Sequence, residues 1–339
     1  MQNKNVEYLC TMKSTFKSVF ALILLVHISA CTIDKARPSK KQHLYVASDC
    51  LTRKDEKLFR NFEKSNKINI HIVSFTSDSL RILLKQEGLT TNIDCVISSS
   101  VYDMKNLSDS KFLQEQSINL EKGMLPSKYI SERRDFIGFG IDPYILLAQN
   151  DSITKWRNYS DLNGKLTFTT DLTSKSDLLP FYSVVLAKLE KSKPKFIYSW
   201  YENFSKNKVN ASNDSLKLNG TKVIFTLYSH YEKNKSDNKD LKKLQLIFPN
   251  QRKAGSYFNM PCFGIIKQAR NYSNAKLFLN YLLLDNVNKR LTNRLKMFPV
   301  IVEKQSVYLY QNQRYKKTSV SPIKQSKQYP RVSSLMKNI

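Results

Sequence analysis

Residues 43–100 read HLYVASDCLTRKDEKLFRNFEKSNKINIHIVSFTSDSLRILLKQEGLTTNIDCVISSS. Two periodicities alternate along this stretch. HLYVAS (43–48), INIHIVSF (68–75) and NIDCVISSS (92–100) are short apolar or alternating runs of the kind that form strands. Between them, RKDEKLFRNFEKSNK places Leu58, Phe59 and Phe62 at helical spacing, and DSLRILLKQEG is helical and stops at Gly88. Strand, helix, strand, helix, strand implies crossover helices and parallel pairing, hence an α/β lobe.

The pattern resumes further on. PYILLAQN (143–150) reads as a long strand leaving the first lobe. YSDLNGKLTFTT gives a turn and a strand, DLLPFYSVVLAKLEK a helix after Pro180, FIYSWYENFSK another helix, and TKVIFTLY (221–228) a strand. LQLIFPNQ and SYFNMPCFGIIKQA return the chain as strands. NYSNAKLFLNYLLLDNVNKRLTNRL reads as one long helix, N-capped by Ser273, with Leu277, Phe278, Tyr281, Leu282 and Leu283 on its apolar face. The expected organisation is lobe 1 from residues 43–141 plus 256–302, lobe 2 from 142–255, and a basic, disordered tail over 303–339. From Lys304 to the end there are eight Lys or Arg and no Asp or Glu.

The N-terminus carries a second message. MKSTFKSVFALILLVHISAC begins at Met12, the expected true start, with Lys13 and Lys17 as a basic region. Val19 to Val26 is an apolar core of signal-peptide length, shorter than a comfortable membrane span. Ile28-Ser29-Ala30-Cys31 fits a bacterial lipobox: small residues before the cut, then a thiol to carry diacylglycerol. Residues 1–30 are therefore the expected lipoprotein signal peptide. Two or more acyl chains, palmitate among them, hold a protein stably at a bilayer. The polar residues 31–42 then form a tether, and the mature protein sits in the cell envelope outside the cytoplasm.

Composition excludes more than it selects. The 339 residues have a hydrophobic fraction of 41%, enough for two cores. The net charge is +27, from 55 Lys and Arg against 28 Asp and Glu. The lysines are scattered, and no helix-turn-helix, zinc-finger or RNA-binding motif accompanies them, so no nucleic acid is expected. No G-x-S-x-G, H-E-x-x-H, P-loop or CxxC occurs, and the chain is read as a non-enzyme with no catalytic cofactor. Cys50, Cys95 and Cys262 match no zinc spacing, and which of them pair is left open.

Several segments together resemble the type II periplasmic solute-binding proteins of ABC importers, most of all their ferric-iron-binding branch. They are Phe248 to Gln251, Gly255, Asn259, Gly264, Lys267-Gln268-Ala269-Arg270-Asn271, Asn274-Ala275 through Leu282, and Phe298-Pro299-Val300. Weaker similarity extends the match to residues 43–302. The resemblance implies two α/β lobes with a ligand cleft between them, a hinge of crossover strands, and a permease partner. It also implies a bound Fe(III) as transported ligand, held by an adjacent tyrosine pair after the strand TKVIFTLY. Here that pair falls on Ser229 and His230, or on His230 and Tyr231. Tyr228, His230 and Tyr231 are the candidate ligands, and Tyr228 and Tyr231 can share an ion only if the strand ends and the chain turns there. The family's first-strand ligand falls in SDCLTRK, where Asp49 or Cys50 would substitute. Its anion-binding arginine falls near Asp142-Pro143, and a further tyrosine meets Pro180, with Tyr182 nearby. The alternatives are a small anion or organic solute in the same fold, or a surface lipoprotein that has lost transport and serves as an interaction protein.

Cys31→Ala is expected to abolish palmitate labelling in the native host and to move the protein out of the membrane fraction. Undiminished labelling would place the modification elsewhere.

Overall fold

A computed structural model of the chain describes residues 42–115, 125–149, 157–164, 167–190, 192–211, 217–218, 220–300, 307–310 and 313–337. The signal peptide, Cys31 and nearly all of the tether lie outside these residues. From His43 to Ile339 the chain forms one compact unit. Among the described residues no helix is long and apolar enough to cross a membrane.

The opening stretch folds as its two periodicities require. Strand β1 (Gln42–Ser48) leads to a 3-10 turn (Arg53–Phe59) that continues into α1 (Arg60–Asn66). A capping box between Thr52 and Asp55 starts the turn. Its buried face sets Phe59 and Phe62 against Phe278 at 5.1 and 5.3 Å. Strand β2 (Ile68–Ser74) alternates, with Ile68, Ile70 and Ile72 inward. Helix α2 (Ser77–Glu87) is capped by Thr76 and ends at Gly88, whose φ of 55 favours glycine. Then come β3 (Cys95–Ser98), α3 (Val101–Asp109), β4 (Phe136–Gly138) and the fully buried β5 (Gly140–Ala148).

The second half adds β6 (Phe168–Thr170), α4 (Lys175–Leu189), α5 (Pro194–Asn207), β7 (Lys208–Asn210) and β8 (Val223–Leu227). Next are α6 (Tyr228–Asn234), α7 (Lys239–Lys242), β9 (Gln245–Ile247), β10 (Phe258–Asn259) and β11 (Cys262–Ile265). The chain continues through α8 (Tyr272–Leu282), α9 (Asp285–Leu295), β12 (Phe298–Pro299), β13 (Val307–Tyr310) and β14 (Gln313–Lys316). It ends in α10 (Pro322–Gln325) and α11 (Tyr329–Lys337).

Two sheets result. One has the order β2-β1-β3-β11-β4, with β1 and β3 parallel and β11 antiparallel to both its neighbours. The other runs β10-β5-β8-β6-β7, with β9 and β12 also pairing β5. The chain passes from the first sheet into the second between β4 and β5, and β10 returns beside β5 with Asn259 opposite Asp142. This is the expected α/β, two-lobe architecture with crossover strands. The strand pairing draws β10 and β12, from the 256–302 segment, into the second sheet.

Three expectations need correction. The helix read as starting after Pro180 begins at Lys175, because Ser174 caps it by accepting from Asp177 N; Pro180 lies inside. The long helix over 271–295 is two helices, broken at Leu284, and its N-cap is Asn271 rather than Ser273. Over residues 313–337 the tail is not disordered. Gln251 clamps it, donating to the Lys316 carbonyl at 2.9 Å and accepting from Lys316 N at 2.7 Å. Ser256 and Thr318 extend this pairing. Ile323, Tyr329, Val332 and Leu335 are buried, while Lys316, Lys327 and Arg331 stay exposed. The uniform positive charge of this segment concealed an apolar face at helical spacing. Cys50, Cys95 and Cys262 are free thiols.

Gly255 has φ +84, and a Cβ there would meet the Lys317 backbone at 2.6 Å. Gly255→Ala is expected to cost about 2–4 kcal/mol, from the left-handed backbone and the overlap together. Urea melts read the loss. Limited trypsinolysis should show cleavage at Lys316, Lys317 and Lys324 appearing first.

Candidate functional site

The candidate residues lie beyond the ends of strands in the two sheets. Beyond β1, Asp49 accepts from Ser98 Oγ and Ser99 N, both at 2.7 Å. Both partners sit at the end of β3, so one carboxylate joins two strand ends. Asp49 keeps solvent access, yet burial of its carboxyl raises its pKa against the lowering effect of these hydrogen bonds. Next to it, burial and then the Asp49 charge push the Cys50 thiol well up.

In the second sheet, β8 ends at Leu227 and the chain turns at once into α6. That turn decides the fate of the three candidate residues. Tyr228 goes into packing: its ring lies 4.9 Å from Phe298 and 6.2 Å from Phe248. The tail's Tyr315 completes the cluster, 4.3 Å from Phe248. Tyr231 is buried, with Lys235 Nζ 5.4 Å from its ring centre. His230 faces a carboxylate, its Nδ1 2.8 Å from Asp171 Oδ2. Burial would lower the imidazole pKa, but the Asp171 hydrogen bond and charge, with Asp142 and Asp177 behind, raise it overall. Asp171 lies just past β6, and its other oxygen, Oδ1, is buried without a hydrogen-bond partner.

Tyr182 lies in the second lobe's aromatic core, among Tyr201, Phe204 and Trp200 at 5.0, 5.3 and 6.4 Å. Burial drives its phenol pKa far up. The structure thus places Asp49 and His230 beyond strand ends of the two sheets and puts Tyr228, Tyr231 and Tyr182 into packing. Among the described residues, no group of three or more His, Cys, Asp or Glu is arranged to hold a metal ion.

Sequence reasoning missed Asp142, which appeared only as a position lacking the family's arginine. It lies on β5, is 1% exposed, and accepts from Ser229 N at 3.0 Å and Ser229 Oγ at 2.6 Å. It therefore holds the first turn of α6 and so aims His230. Burial pushes its pKa up to about 6, despite the Ser229 bonds and the nearby His230 and Lys233 charges. The available signal was an aspartate inside an apolar strand, a place where a charge needs a partner.

A second missed feature is a latch between the lobes. Proline has no N–H, so Pro180 leaves the carbonyl of Ser176, four residues earlier, without its helical partner. That carbonyl accepts instead from Ser100 Oγ at 2.7 Å and Asn259 Nδ2 at 3.3 Å. Ser176 Oγ donates to Asp103 Oδ1 at 2.9 Å. Beside the latch lies a polar cavity of about 690 Å³, lined by Thr76, Asp78, Arg81, Asp103, Ser174 and Lys175, among others.

No family model matches the sequence, and no curated protein matches it either. Solved structures match the fold. An iron- and citrate-bound Trichodesmium protein (IdiA, FutA) superposes at TM-score 0.75 with 17% identity, over 87% of this chain and 98% of that one. The ferric-binding protein of Campylobacter jejuni gives 0.73 with 18% identity, over 87% and 98%. The periplasmic binding protein AfuA of Actinobacillus pleuropneumoniae, with exogenous fructose-6-phosphate bound, gives 0.63 with 13% identity, over 88% and 98%. The chain has the two-lobe type II fold of these binding proteins.

Asp142 carries a pH signature. Its unfolded value is near 3.8 and its folded value about 6, so between these limits the folded state holds a proton the unfolded state lacks. Its contribution is complete below pH 3.8 and lost as pH rises through 6, about 3 kcal/mol in all. Asp142→Asn keeps both bonds if Ser229 Oγ turns to accept. Urea melts from pH 4 to 7 should show the variant gaining on the wild type across that window.

Proposed function

We propose that this chain is the lipid-anchored, extracytoplasmic solute-binding component of an ABC importer. It is tethered through Cys31 and delivers ferric iron, or another metal ion in chelated form, to a membrane permease. One observation supports this reading: Asp49 and Ser99 are hydrogen-bonded at the carboxyl ends of β1 and β3, and Asp171 and His230 are hydrogen-bonded at 2.8 Å beyond the carboxyl ends of β6 and β8. Open α/β sheets bind ligands at that edge. Strands β5 and β10 between the lobes form a hinge of the kind that lets two lobes close on a ligand.

The chemistry of the walls supports a cationic cargo. The whole chain carries +27, yet the cleft gathers Asp49, Asp142, Asp171 and Asp177 against His230 and Lys233. Carboxylate oxygens suit hard ions, and imidazole suits iron among others. The protein donors are too few and too dispersed for a complete sphere, so a chelator supplies the remainder. The Trichodesmium neighbour, with its iron and citrate, is an instance of such cargo. A second reading, a small organic or anionic solute, is favoured by the cavity of about 690 Å³ with Arg81 and Lys175 on its wall.

A thermal-shift titration with Fe(III)-citrate, other metal ions, phosphate and polyamines separates these readings. Binding to the folded state raises the melting temperature by mass action, about 2.7 kcal/mol at a hundredfold excess over Kd. Fe(III)-citrate is expected to give the shift, and His230→Ala to lose it. A shift with phosphate alone would select the second reading. No shift with any metal would end the metal reading.

A further inference from the structure

A second cluster sits on one face of the first sheet. His43 on β1 and His71 on β2 occupy neighbouring strands, with Nδ1 of His43 2.8 Å from Nε2 of His71. The two rings lie 5.0 Å apart at 21°. Tyr45 stacks on His71 at 5.0 Å and 25°. Strand alternation puts all three on the same face, because Leu44, Val46, Ile70 and Ile72 turn into the core.

The platform under them is well held. Strand β2 is the sheet edge, and two carboxylates tie down its backbone. Ile70 N donates to Glu63 Oε1 and Ile72 N to Glu56 Oε1, both at 2.9 Å. His71 lies between these anchors. The buried isoleucines on either side fix its direction.

We propose that His43 and His71 form a binding site for a divalent transition-metal ion of the borderline class: zinc, copper or nickel. Two imidazoles in contact are held by one shared proton, which one ring donates and the other accepts. A metal ion replaces that proton with a bond to each ring. Whichever ring donates moves its proton to its other nitrogen, and both remain neutral. At a metal–nitrogen distance of about 2.0–2.1 Å, two ligand nitrogens stand roughly 2.9 Å apart at a right angle and 3.3 Å apart in a tetrahedron. From 2.8 Å the nitrogens part by about 0.1–0.5 Å, and the rings turn so that both lone pairs meet the ion. Water completes the sphere, and the Tyr45 ring walls one side.

An all-imidazole donor pair discriminates against hard ions such as Mg²⁺ and Ca²⁺. It lacks the carboxylate oxygens proposed to hold the cargo of the cleft. Bound across β1 and β2, the ion staples the first strand of the fold to the sheet edge.

The full chain, purified in detergent, is titrated with Cu²⁺ and followed by electron paramagnetic resonance, and separately melted with Zn²⁺. One copper signal with coupling to two nitrogens is expected. His43→Ala and His71→Ala should each weaken copper binding at least tenfold and remove the zinc-induced rise in melting temperature. The His230→Ala variant is measured in parallel, to tell this site from the cleft. Circular dichroism checks the metal-free fold of each variant, and His71→Gln stands in should the alanine variant unfold. Absence of nitrogen coupling would overturn the site. Binding that survives loss of either histidine, or that disappears with His230, would overturn it equally.

Discussion

A carboxylate buried on the crossover strand sets the geometry around it. Asp142 is taken out of water on β5, where an ion without partners would cost several kcal/mol. Its position is therefore tolerable only with Ser229 N and Oγ in place. That requirement fixes where β8 must end and where α6 must start. Strand β5 also pairs β8, β9, β10 and β12, so the same strand carries the hinge and the register of the second sheet. His230, one residue beyond Ser229, inherits its direction from this arrangement.

The contact between the lobes depends on a second local constraint. Pro180 weakens α4 as a helix, by about 3 kcal/mol on intrinsic propensity. What is lost there reappears as a carbonyl acceptor for Ser100, at the start of α3, and Asn259, on β10. The C-terminal segment reinforces the same seam. Tyr329 packs on Tyr102 at 5.5 Å, and Gln328 donates to Glu190 at 2.9 Å. One short tail thus touches helix α3 on one side and the end of α4 on the other.

Charge needs to be read locally. A net charge of +27 describes the surface, where lysines are solvated and screened within about 10 Å. Inside the cleft the balance reverses, and desolvation governs: the Asp49, Asp142 and Asp177 carboxyls are all raised by burial.

Much of this was legible in the chain. Alternation in INIHIVSF, helical spacing in RKDEKLFRNFEK and the terminator Gly88 are local signals, and each became the element it implied. They sufficed for an α/β fold, because secondary structure follows from periodicity and caps within about ten residues. The YSHY segment was legible only as a question. Sequence located the strand but could not say that it stops at Leu227, because the stop is imposed by Asp142, eighty-seven residues away. Nor could it assign Tyr228 to packing, since Phe248, Phe298 and Tyr315 come from three other segments. The tail looked unstructured because its apolar positions are few and its charge uniform; only the waiting faces of α4 and Gln251 make it fold. Local pattern determined the elements, and long-range partners decided which side chains became a site and which became core.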